Sequence, residues 1–243
     1  MSKTVKIGIP VVILVIALAV GGGLWWFLRD DSPPAVNIDT ASESVTTTAG
    51  DGTAPAVTDI AGTWVVDTST GEFDFDTATG TFAGFRIQEQ LSGIGSTTAV
   101  GRTGEVTGTI QIEGTALTAA EFDIDLASIT TNESRRDDRV QEALETDQFP
   151  TATFRLTAPV DLGASPASGQ DISVVATGEM TIHGVTRPVE VPIQARLVGD
   201  TVVAVGSFDV TFSDYGVSVP KAAIVLSVED HGTLELQMLF TKQ

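Results

Sequence analysis

The chain contains no cysteine in 243 residues. That absence removes thiol catalysis, thiolate metal sites, disulfide cross-links and a lipid-modified N-terminal cysteine together. Histidine is almost as scarce, with only His183 and His231 present. With no Gly-x-Ser-x-Gly elbow either, a Ser-His-Asp triad has few ways to form, and hydrolase chemistry is a poor fit. Two histidines far apart in sequence offer few convergent donors for a metal. Asp74/Asp76 and Asp123/Asp125, at i, i+2 on strand-like segments, read as outward solvated carboxylates rather than a calcium loop. Basic residues are few: 13 against 32 acidic, a net charge of −19. Setting aside Lys3, Lys6 and Arg29 leaves 10 against 32, or −22 for the remainder. Such a surface repels phosphate backbones, so nucleic acid is excluded as a natural partner, and solubility is the simplest use of the acidity.

What is present begins with an apolar run at Ile7–Leu28 that no charge interrupts. It is long enough to cross a hydrocarbon core of about 30 Å as a helix. Lys3 and Lys6 precede it and Arg29-Asp30-Asp31 follow it, so the positive-inside bias places everything after Leu28 outside the cytoplasm. Trp25 and Trp26 fall at the expected depth of the outer interface. Ala17-Leu18-Ala19 gives a cleaved signal peptide as the competing reading. The expected location is therefore the cell membrane, single-pass, with an extracytoplasmic C-terminal domain.

Residues 29–59 are rich in Ser, Thr, Ala, Pro, Asp and Gly and read as a flexible linker with too little apolar surface to offset chain entropy. Residues 60–243 have the size of one domain. Period-two alternation dominates there, as in Phe122/Ile124/Leu126, Val189/Val191/Ile193/Ala195/Leu197, Phe208/Val210/Phe212, Ile224/Leu226/Val228 and Leu234/Leu236/Met238/Phe240. Gly and Asp punctuate these runs, notably at Val198-Gly199-Asp200-Thr201 and Asp230-His231-Gly232-Thr233, as hairpin turns do. The pattern predicts an all-β antiparallel meander of about eight strands, closed into a barrel that leaves no free edges. One helix is predicted near Arg135–Thr146, where Val140, Ala143 and Leu144 share a face. Pro150 returns the chain to extended geometry.

His183-Gly184-Val185-Thr186-Arg187-Pro188 reads first as a strand-to-strand turn using the positive φ that Gly tolerates, and second as a ligand contact. Arg135, Arg136, Asp137, Asp138 and Arg139 read first as a structural clasp at the barrel mouth and second as a contact to a polar ligand end. Asn132-Glu133-Ser134 fits the glycosylation triplet, a pattern common by chance. Large apolar residues at alternating positions, Phe122, Ile124, Phe154, Leu156, Met180, Ile182, Phe208, Phe212, Leu236, Met238 and Phe240, would serve a filled core or a ligand cavity equally well.

Two segments carry a family resemblance. The first has Ser-Ile-Thr-Thr-Asn at 128–132, Arg136-Asp137, and Gln148-Phe149-Pro150 leading to Phe154; the second is Gly178, Met180 and Ile182 through Pro188. In this order they resemble the YceI-like family of extracytoplasmic lipocalin-like barrels, with an opening at Gly62–Asp67. Departures are Thr68-Ser69-Thr70-Gly71 where a His-Ser pair is common, Phe212 where an Arg precedes Ser-Asp-aromatic-Gly, and Arg139 where a His is common. The resemblance implies a lipid-binding barrel without a catalytic step or resident cofactor. Its ligand would be an isoprenoid, quinone-like or other long-chain amphiphile. The ligand tail is expected among Phe122, Ile124, Phe154, Met180, Ile182, Phe208, Phe212, Leu236 and Met238, and its head near Arg136, Asp137, His183 and Arg187. A homodimer is compatible with these features. The alternative is a cell-surface protein-interaction module with a filled core, or an envelope-lipid enzyme using the two histidines.

Overall fold

The computed structural model describes residues 32–49, 59–91, 95–218, 225–228 and 230–243. Elements follow in chain order: α1 (Ile38–Ala49), β1 (Gly62–Val66), β2 (Phe82–Leu91), β3 (Gly95–Thr103), β4 (Val106–Glu113), β5 (Ala116–Asp125) and β6 (Thr130–Thr131). Then come α2 (Ser134–Leu144), β7 (Thr151–Leu156), β8 (Val160–Asp161), β9 (Ile172–Ile182), β10 (Val185–Val198) and β11 (Thr201–Thr211). A 3-10 turn at Phe212–Tyr215, β12 (Val225–Val228) and β13 (His231–Lys242) complete the chain.

Eight of these strands, in the order β1-β4-β5-β7-β9-β10-β11-β13, form an antiparallel barrel that closes through Trp64↔Lys242 and Val66↔Phe240. β13 serves two neighbours on its far side. Its last residues pair with β1, while Thr233–Gln237 pair with β2, which continues into β3 and β6. The alternation predicted from sequence sets which side chains face in. Phe122, Ile124, Phe154, Met180, Met238 and Phe240 are all buried within one apolar cluster.

The turn predicted at His183-Gly184 is a two-residue hairpin with both residues at positive φ, 51° and 71°. Those angles are the pair that the twist of a tight hairpin demands. Gly199 plays the matching part at the opposite end of β10. The stretch Asp230–Thr233 is not a hairpin: β12 and β13 both pair with β2. The predicted helix is α2, ended by Glu145 in the left-handed conformation.

Residues 38–49 depart from the linker reading. They form α1, with Asn37 Oδ1 accepting hydrogen bonds from the backbone N–H groups of Asp39 and Thr40, a helix N-cap. Ile38, Ala41 and Val45, at i, i+3 and i+7, bury one face against Val203, Val205 and Leu239 on the outer wall of β11 and β13. The polar composition hid that apolar stripe. Residues 32–34 are also docked, since Arg86 and Arg102 donate to the carbonyls of Pro33 and Pro34. The apolar run at Ile7–Leu28 lies outside the described residues, and among those described no helix is long and apolar enough to cross a membrane.

Candidate functional site: an apolar cavity along the barrel

The barrel interior holds a cavity of about 220 Å³, well above the roughly 10–15 Å³ that a single water needs. Its wall runs from Leu162, Ile193 and Leu197 near the β10–β11 hairpin to Leu144, Tyr215 and Val217 at the α2 end. Along β11 the lining extends from Val202 to Val210. At about 3.3 Å per residue and the usual strand tilt, that span is roughly 20 Å along the barrel axis. The site is therefore a narrow tunnel, shaped for a chain.

Phe122, Ile124, Phe154, Met180, Ile182, Phe208, Phe212, Leu236 and Met238 all line it, as do Leu156 and Phe240. Phe122 stacks on Phe154 at 6.2 Å between ring centroids and meets Phe240 at 5.9 Å. Gly178 makes room for this arrangement: a Cβ there would collide with the Phe154 ring and the Arg155 carbonyl. Two charged residues touch the wall without placing charge inside. Arg196 spends its guanidinium outside, on Asp171 at 2.6 Å and Asp39 at 2.7 Å. Glu235 turns to the outer face, where its Oε1 accepts from Arg102 Nε at 2.8 Å. Among the described residues the wall places no ionised group inside, and such an interior stabilises apolar guests by burial.

Arg136, Asp137, His183 and Arg187 do not line the cavity. They frame its α2 end. Arg136 reaches Asn132 Oδ1 and Glu89 Oε2, both at 2.8 Å. Asp137 accepts from the Thr131 backbone at 2.8 Å and hydroxyl at 2.7 Å. Together they clasp α2 to β6 and the β2–β3 ribbon. His183 Nδ1 lies 3.3 Å from the Tyr215 carbonyl, and its ring meets Phe149 edge-on at 4.6 Å. Arg187 Nε donates to the Asp214 carbonyl at 3.0 Å. Asn132, the residue of the glycosylation triplet, is held by Val100 and Thr98.

Sequence reasoning missed Leu144, Tyr215, Val217, Leu162 and Pro166, which line the tunnel near its ends. None sits in an alternating run; the helical face of Leu144 was the one available signal. It also missed the buried pair of Arg102 and Glu235, with side chains 0% and 1% exposed. Nothing local in either segment marks the partnership.

Comparison with known proteins places this geometry. Residues 37–240 match the family described as the YceI-like domain. A UPF0312 protein of Shewanella denitrificans is 30% identical over 145 residues, which cover 55% of this chain and 71% of that one. Among solved structures, a polyisoprenoid binding domain from Saccharophagus degradans implicated in plant cell wall breakdown superposes with a TM-score of 0.58 at 18% identity. The match covers 74% of this chain and 98% of the other. BcnA of Burkholderia cenocepacia gives 0.51 at 20% identity, over 72% and 98%. At such identities the likeness is one of fold.

Proposed function

The chain belongs to the YceI-like family, and from that premise we propose that it is a membrane-tethered, extracytoplasmic carrier that holds an isoprenoid or other long-chain lipid in the barrel. The tunnel carries this reading: it runs the length of the barrel, and its wall is apolar from end to end. Burying a chain there gains about 0.8 kcal/mol per CH₂ removed from water, so affinity requires no charged contact. The head group would lie at the α2 end, beside Tyr215 and inside the frame of Arg136, Asp137, His183 and Arg187. No covalent step is part of the reading.

Docking of residues 32–49 bears on the tether. If Ile7–Leu28 spans the bilayer, only residues 29–31 separate it from Ser32, which already contacts Arg86. The barrel would then rest against the membrane that supplies its cargo rather than at the end of a long stalk.

Met180 is 8% exposed and lines the tunnel toward its α2 end. A Met180→Glu chain should lose bound lipid, because an unpaired carboxylate in an apolar cavity opposes the guest. The lipid recovered per protein after solvent extraction is the readout. Retention equal to the unaltered chain would overturn the assignment of the tunnel as the binding site.

A further inference from the structure

The barrel wall has a seam. β10 and β11 are paired only from Ile193↔Gly206 to Val198↔Thr201. Above that point Val185–Pro192 pair with β9 alone, and Ser207–Thr211 pair with β13 alone. Among the described residues no ladder pair joins these two stretches.

The sequence of β10 accounts for the opening. In an antiparallel ladder successive residues turn their backbone groups to opposite neighbours. Counting from Val185, which closes the two-residue hairpin with Ile182, the odd-numbered residues bond β9 and the even-numbered ones face β11. Pro188 and Pro192 are both even, so each removes a donor from the side where β11 would pair. The strands converge again at Gly206, where a Cβ would press on Ile193 Cδ1 at 2.6 Å. At the top the seam is tied by Arg187 to the Asp214 carbonyl and by His183 to the Tyr215 carbonyl. The result is a bounded window about five residues, or roughly 16 Å, long.

This window opens on an outer groove lined by Pro188, Glu190, Pro192, Ser207, Phe208 and Asp209. Phe208 also lines the tunnel. Val189, which packs against the core, lines the groove beside it. Phe208 and Val189 thus stand between the groove and the tunnel, whereas Leu162 and Pro166 line one end of the tunnel and Leu144, Tyr215 and Val217 line the other.

The geometry points to a lateral portal: a long-chain lipid passes between membrane and tunnel through the β10–β11 window, with Phe208 as the gate. This rests on the lipid-carrier reading and adds the route. A sideways opening suits a chain, because the tail can slip between the strands while its polar end, still hydrated, passes along the wet rim of Ser207, Glu190 and Asp209 on its way to the α2 end beside Tyr215. The unpaired edges open it without breaking a ladder bond.

The absence of cysteine makes the test clean. In the full chain held in lipid nanodiscs, with Trp25→Phe and Trp26→Phe so that Trp64 is the sole donor, uptake of cis-parinaric acid is followed by energy transfer. Glu190→Cys with Asp209→Cys is bridged by a short bis-maleimide across the window. Thr181→Cys with Thr186→Cys, on paired neighbours of β9 and β10, is bridged as the control. The window bridge should slow uptake and release at least tenfold while leaving the amplitude at saturation unchanged. The control bridge should alter neither, and Phe208→Ala should speed both several-fold. Uptake at the unbridged rate through a bridged window overturns the portal and leaves the carrier reading standing. No uptake by the unbridged chain overturns the carrier reading, and the portal falls with it.

Discussion

Arg102 shows what single residues contribute beneath the barrel's outer surface. Its guanidinium is fully buried, bonded to Glu235 and to the Phe75 and Pro34 carbonyls, and lies over the Phe82 ring at 4.5 Å. Burial pulls it below the usual arginine range, with Glu235 opposing and Arg86 reinforcing the shift. Removing one member of a buried pair strands the other. Arg102→Ala should therefore cost about 3–5 kcal/mol in urea unfolding, and Arg102→Met with Glu235→Leu should recover much of the loss. A second residue fixes a pH dependence. Burial raises the Tyr215 phenol above its ordinary 10.0; Arg187 opposes that shift and Asp214 adds to it. A raised acid favours the folded state only while the phenol is neutral. Its contribution is full below about pH 10 and is lost as pH climbs through the folded value. Tyr215→Phe should flatten the alkaline limb of the stability profile without changing the neutral plateau. The apolar tunnel residues were legible because period-two runs expose one face of each strand, so Met180 and Phe208 declared their side. Arg102 and Glu235 were not, since their partnership spans 133 positions and is enclosed by loops.

At the scale of elements, α1 is the piece most easily misread. Its Asp, Thr and Ser give the composition of a linker, yet Ala41 is fully buried between Ile38 and Val45. The outer wall held the missing signal. Val202–Val205 is continuously apolar rather than alternating, the mark of a strand covered on both faces. Ala41→Leu should overpack this contact and cost about 1–3 kcal/mol, a fall of several degrees in Tm for a domain of this size. A chain begun at Ile60 should lose more, because Val203, Val205 and Leu239 would face water and Arg86 and Arg102 would lose the Pro33 and Pro34 carbonyls. Equal melting temperatures for the long and short chains would show that α1 is ornament. By contrast, α2 and the His183-Gly184 hairpin could be read directly, since a helical stripe and a turn glycine are local signals.

On the scale of the whole molecule, closure of eight strands leaves an interior that side chains fill only in part, and a tunnel remains. Alternation predicts a barrel but not whether it is full. That depends on the summed volume of residues from every strand, including small ones such as Ala120, Ala152, Ala176 and Ala204 on the lining. The acidic exterior carries a strongly hydrated surface, and in the proposed reading the apolar interior supplies affinity for the guest. Binding to the folded state alone should raise Tm with ligand concentration by mass action. The most direct measurement is solvent extraction and mass spectrometry of the full chain purified from a host that makes quinones and polyprenols, beside the Met180→Glu chain. The account predicts a prenyl or other long-chain lipid at about one per protein, absent from the Met180→Glu extract. An extract with no lipid beyond that of the Met180→Glu chain, unchanged after soaking with prenyl lipids, would contradict it and favour a filled-core interaction module.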